Sequence, residues 1–238
     1  MKKRILIFLL PVLLSATTAF SMGLPRITAY SGDVKAVPDD IPIGTQCYVG
    51  MTLAPGTWVN TGASGQAEIT FDDEGTSTII LESNSVIVIK NKPTEAFELM
   101  NGGVFTKLSG FTRTEPFIIK TYAGTCGATG TSWYTLCVNS TAFVNVLENK
   151  VFVRGYSIDG FPLDDTVWVK AGKYCSVRAY KPPAPSEDIP IEVLDRMNKL
   201  SDSLASSSVV TQMERNVRIA ELKGRGVSED LLSTYNTK

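Results

Sequence analysis

Residues 64–90 read SGQAEITFDDEGTSTIILESNSVIVIK. Ile69 and Phe71, then Ile79 and Leu81, then Val86 to Ile89 show alternation or short apolar bursts. A period of two puts Ile69 with Phe71, and Ile79 with Leu81, on one side of an extended chain. Asp73-Glu74-Gly75 and Asn84-Ser85 separate the runs with residues that turn the backbone cheaply. The same texture extends in both directions. Val104 and Phe105, Phe117 to Ile119, Phe143 to Val146, Val151 to Val153 and Val167 to Val169 repeat the short runs. Ser31-Gly32, Pro55-Gly56, Thr61-Gly62, Asn101-Gly102-Gly103, Ser109-Gly110 and Asp159-Gly160 mark turns between strands. No helical period interrupts this pattern before residue 186, so an all-β domain is expected, as a sandwich, barrel or β-solenoid.

The chain ends differently. Pro182-Pro183-Ala184-Pro185 reads as a stiff linker. Beyond it Ile191, Leu194, Met197, Leu200 and Leu204 recur at spacings of three and four, followed by Val210, Met213, Val217 and Ala220. These spacings predict an α-helical tail with one apolar stripe. Its members from Leu194 to Val217 are the candidate partner-binding residues; self-docking onto the β domain and docking of another protein both remain open. The expected organisation is a signal peptide over 1–21, a β domain over 22–181, a Pro-rich linker over 182–190 and a helical tail over 191–238.

At the other end, Lys2, Lys3 and Arg4 precede an apolar run from Ile5 to Leu14 and small residues from Ser15 to Ala19. That order is a secretory signal, with exits after Ala19 or Ser21; the run is too short to span a bilayer comfortably. A periplasmic or extracellular location is expected. Without those three bases the 23 Lys and Arg fall to 20 against 24 Asp and Glu, a net −4, which offers nucleic acid no global attraction. Four cysteines, Cys47, Cys126, Cys137 and Cys175, follow the signal. An even count in an exported chain reads as two disulfides with three possible pairings; nearness across a Gly-rich bend favours Cys126–Cys137 with Cys47–Cys175.

Histidine is absent, which removes the commonest general base and metal ligand. The remaining chemical candidates are thin. Gly124 to Ser132 is rich in glycine but lacks the Lys and helix of a phosphate loop. Asp72-Asp73-Glu74 and Asp164-Asp165 match no calcium loop and suit turns. Lys107 and Ser109 lack any hydrolase context. Tyr30, Tyr48, Trp58, Phe111, Trp133, Tyr134 and Trp168 are candidates for a sugar- or peptide-binding shelf, or for core. No cofactor or metal is expected, and no enzymatic activity.

The β region resembles the FecR-like domain family over about residues 27–180. Ser31-Gly32-Asp33-Val34 is similar to its opening, and the run from Val49 to Gly62, with its Gly50, Leu53, Gly56 and Thr61-Gly62, to its most recognisable stretch. Ser64 to Asp73, Leu99 to Val104, Phe117 to Ala123, Gly130-Thr131, Val144 to Val151 and Ala171-Gly172 continue the likeness. Departures are Thr129 for an Arg, Tyr122 for a Pro and Asn149 for a Gly. The resemblance implies a periplasmic β-rich module for sensing or protein interaction that is not catalytic. Only Met1 to Arg4 precede the apolar run, so the expectation is a free-standing exported member without a sigma-factor-binding segment. It would act as an interaction scaffold for another envelope protein or for self-association through the tail. The alternatives are a glycan- or peptidoglycan-binding module using exposed aromatics, or an envelope signal-sensing module.

Overall fold

The computed structural model describes residues 24–39, 43–72, 75–92, 95–109 and 115–205. Two sheets share one buried core. The front sheet runs in the order β1 (Arg26–Ser31), β5 (Gln66–Thr70), β6 (Ser77–Leu81), β8 (Glu95–Leu108), β11 (Ser132–Val138), β12 (Thr141–Val146), β15 (Lys173–Arg178) and β16 (Glu187–Asp188). The back sheet runs β3 (Thr45–Gln46), β2 (Val34–Val37), β4 (Trp58–Thr61), β7 (Val86–Lys92), β8, β9 (Phe117–Thr121), β10 (Gly124–Ala128), β13 (Lys150–Tyr156) and β14 (Pro162–Lys170). Of these pairings only β8 with β9 is parallel. Antiparallel ladders facing one core make this a β-sandwich and set the solenoid aside.

The alternation in residues 64–90 becomes β5, β6 and the start of β7. Ile69, Ile79 and Leu81 point into the same core as Ile87 and Ile89, all fully buried. Phe71, Phe97, Phe117 and Trp133 form a chain of ring contacts at the centre, with centroids 5.1 to 6.4 Å apart.

β8 belongs to both sheets. Phe97 to Leu99 pair with β7 and β9 in the back sheet, whereas Val104 to Lys107 pair with β6 and β11 in the front sheet. Asn101-Gly102-Gly103 carries the residues of a turn; instead the strand continues through it and bends. Gly102 takes φ +87°, open only to a residue without Cβ strain, and a Cβ there would sit 2.2 Å from Ser85 Oγ. The Gly-rich stretch from Gly124 is likewise not all bend, since its first five residues are β10.

The segment expected to be a bare linker also has structure. Ala184 N donates to Ser176 O, and β16 pairs Glu187 with Tyr174 and Asp188 with Lys173. A helix, α1, follows over 191–205. Pro190 precedes its first turn, where a missing N–H costs nothing.

The expected disulfides are absent: all four cysteines are buried free thiols. Cys47 donates its N–H to Val34 O on β2, three strands from β8 on one side, while Cys175 lies on β15, three strands away on the other. A bond between them would need Cα atoms within about 7 Å. Cys126 rests its Sγ 3.6 Å from Thr135 Oγ1, and Cys137 lies two residues farther along β11. Burial raises the Cys47, Cys126 and Cys175 thiols to about 11 and raises Cys137 as well.

Candidate interaction site on the front sheet

The inner face of the front sheet belongs to the sandwich core. Its outer face carries a second apolar cluster made of Ile80, Phe105 and Tyr134 with Leu136, Leu147 and Tyr174 at its margin. These residues stand on β6, β8, β11 and β15, with Leu147 just past the end of β12, one position out of phase with the core set, as a period of two requires. β6 is therefore apolar on both sides, Ser77 to Leu81 all being buried.

What covers the outer face is α1. Met197, Leu200 and Leu204 are buried there, with Val193 and Leu194 packed at the edge. Each fully buried side chain of this size contributes about 2 kcal/mol. The first half of the predicted stripe is thus docked on the chain's own sheet; Met197, Leu200 and Leu204 reach another protein only if α1 leaves it. Val210, Met213 and Val217 lie outside the described residues.

One acid locks the helix in register. Glu82, only 6% exposed, receives a 2.7 Å hydrogen bond from Arg196 Nε at Oε1 and a 2.5 Å bond from the Tyr134 hydroxyl at Oε2. The Arg196 guanidinium also lies 5.6 Å from the centre of the Tyr134 ring. Burial, and after it the hydrogen bond to Glu82, pushes the Tyr134 hydroxyl far above the ordinary tyrosine range, so it stays protonated and donating. Room for this arrangement comes from Gly103, where a Cβ would meet the Tyr134 oxygen at 2.1 Å and Glu82 Oε2 at 2.6 Å. Sequence reasoning singled out Tyr134 but not Glu82 or Arg196, which are 114 residues apart; no local spacing announces such a pair.

The other candidates disperse. Asp72 closes the β5–β6 hairpin, its Oδ1 accepting from Thr76 N at 2.7 Å and its Oδ2 from the Thr76 hydroxyl at 3.0 Å. Asp73 and Glu74 lie outside the described residues. Among the described residues no three Cys, Asp or Glu side chains group as a metal site. Trp133 is core and Tyr134 lies under α1, whereas Tyr30, Tyr48, Trp58 and Trp168 are 38 to 58% exposed on separate strands and loops; Phe111 lies outside the described residues. Lys107 is on β8, and Ser109 N–H donates to Thr76 O beside it. No helix among the described residues is long and apolar enough to cross a membrane.

No curated protein matches the chain. Two crystal structures of a "putative anti-sigma factor" from Parabacteroides distasonis ATCC 8503 are similar to it, each with a TM-score of 0.44 and 14% identity, covering 55% of this chain. This chain spans 59% of the length of those structures. Residues 57–152 match the family described as FecR protein. That interval runs from the end of the Val49–Gly62 stretch into β13, and it includes Gly103 and two of the three residues of the Glu82 lock.

Proposed function

We propose that this protein is an exported, non-enzymatic interaction scaffold of the cell envelope, in which the FecR-type sandwich is the rigid body and the C-terminal segment reaches a partner. The observation that carries this reading is the seat of α1. A short apolar stripe and one partly buried ion pair hold the helix to the sandwich, so the residues after 205 are tethered to a rigid base at one defined place. The ionisable groups in the site serve that attachment: Glu82 accepts from both Arg196 and Tyr134. The FecR match supports a role in envelope signalling or interaction, and the basic start with its apolar run supports export.

The test is cross-linking in intact cells. Val210, Met213 and Val217 replaced together by Ser should remove a cross-linked neighbour while the purified variant keeps the unfolding midpoint of the parent. A neighbour captured equally by parent and variant would take the tail out of the reading.

A further inference from the structure

The outer face of the back sheet, opposite α1, carries an arrangement that the scaffold reading does not use. Cross-strand register places Gly127 on β10, Phe152 on β13 and Trp168 on β14 in one row. The row is open: Trp168 is 53% exposed. Its rings are held in place. Phe152 and Trp168 meet edge to face with centroids 6.0 Å apart, and a Cβ on Gly127 would lie 2.9 Å from the Phe152 ring. Glycine at 127 is what lets the Phe152 ring settle against the sheet.

Cations flank this aromatic row on both sides. One step along the strands, Lys120, Thr125, Arg154 and Thr166 form the neighbouring row, which continues onto β8 at Glu98, itself ion-paired with Lys90 at 3.1 Å. One step the other way, Lys150 and Lys170 stand directly opposite each other. Like charges in register repel, so this pair costs the isolated sheet stability. Among the described residues none of Lys120, Lys150, Arg154 and Lys170 has a carboxylate partner. Arg154 Nε is bonded only to the Thr166 hydroxyl, at 2.6 Å, while Lys150 Nζ sits 4.7 Å from the centre of the Trp168 ring and Lys120 Nζ 6.0 Å from that of Tyr156. Asp164 and Asp165 are on β14 as well, but neither forms an ion pair with the four. Successive rows are about 7 Å apart and the strands about 4.8 Å apart, so the platform is a few sugar rings long.

We propose that this face binds an acidic polysaccharide, whose sugar rings lie on Phe152 and Trp168 and whose carboxylates are met by Lys150, Lys170, Arg154 and Lys120. Aromatic rings offer an apolar surface to the C–H face of a sugar, and the flanking cations, which form no ion pair among the described residues, can meet its carboxylates. A neutral glycan would leave the cations without a role, and a purely electrostatic ligand would leave the aromatic row without one.

The experiment is calorimetric titration of the full chain with a soluble polyuronate, in parallel with dextran, an anionic phospholipid vesicle and a single-stranded oligonucleotide. Polyuronate binding that weakens at least tenfold in Trp168→Ala, and at least fivefold with a shallower salt dependence in the double variant Lys150→Gln, Lys170→Gln, supports the proposal. Both changes are at exposed positions, and an unchanged far-ultraviolet spectrum checks that the variants fold. No binding of polyuronate, binding indifferent to Trp168, or equal or tighter binding of dextran, vesicle or oligonucleotide would each overturn it. The platform is on the sheet that α1 does not touch, so its failure leaves the tail reading standing, and the reverse.

Discussion

A methyl group on Gly103 has nowhere to go, because the Tyr134 hydroxyl and Glu82 Oε2 occupy the space a Cβ would need. Gly103→Ala is expected to destabilise the protein by about 1–3 kcal/mol, the usual range for overpacking, read as a lowered urea midpoint. Asn149 makes the opposite point. It stands where FecR-like sequences usually carry Gly, and it adopts φ +52°, a left-handed conformation that Asn tolerates better than most residues; its side chain donates to Gly130 O at 2.8 Å. The substitution keeps the turn. The thiols give a third residue-level expectation. With three of them raised from 9.0 to about 11 by burial, the native protein should resist a thiol reagent at pH 8 and release four reactive groups in denaturant. The sign of the linkage follows. The folded state holds these protons more tightly than the unfolded one, so their contribution is complete below pH 9 and is lost as pH rises towards 11. A urea midpoint that rises across that interval would contradict it.

At the scale of elements, β8 and α1 decide the architecture. The apolar alternation in β5 was legible because a strand with one buried face must alternate, and β6, buried on both faces, was legible as a short apolar run. The bend in β8 was not, since a Gly pair inside a strand and a Gly pair in a hairpin look the same until the partners are known. The α1 stripe was legible as a helix face, but which surface it meets depends on Ile80, Phe105 and Tyr134, drawn from three strands. Two substitutions separate its two means of attachment. Met197→Ala removes a fully buried side chain and should cost about 2–4 kcal/mol. Arg196→Ala leaves Glu82 with the Tyr134 hydroxyl alone; since the Arg196 side chain is about half exposed, the loss should be nearer 1–2 kcal/mol than that of a fully buried pair. Amide exchange over 191–205 should accelerate in both variants while that of β9 and β10 stays slow. Equal acceleration in the core strands would mean that α1 and the sandwich unfold as one unit.

For the whole molecule, the amino-acid order alone carried the all-β class, the change of texture at Pro182 and the FecR resemblance, since each depends on spacings within a few residues: alternation, turn chemistry and ring-locked prolines. The tertiary structure decided that there are two sheets sharing one strand, that segment 182–190 contributes β16, that the cysteines are buried free thiols, and that Glu82 finds Arg196. It also brought Lys150, Arg154 and Lys170 around Phe152 and Trp168 on one exposed face. The physical reason is the same in each case. Local preferences act along the chain, but a buried carboxylate, a cross-sheet distance or a row of side chains exists only where strands distant in sequence are hydrogen-bonded in a particular register, and register is set by burying every apolar face at once.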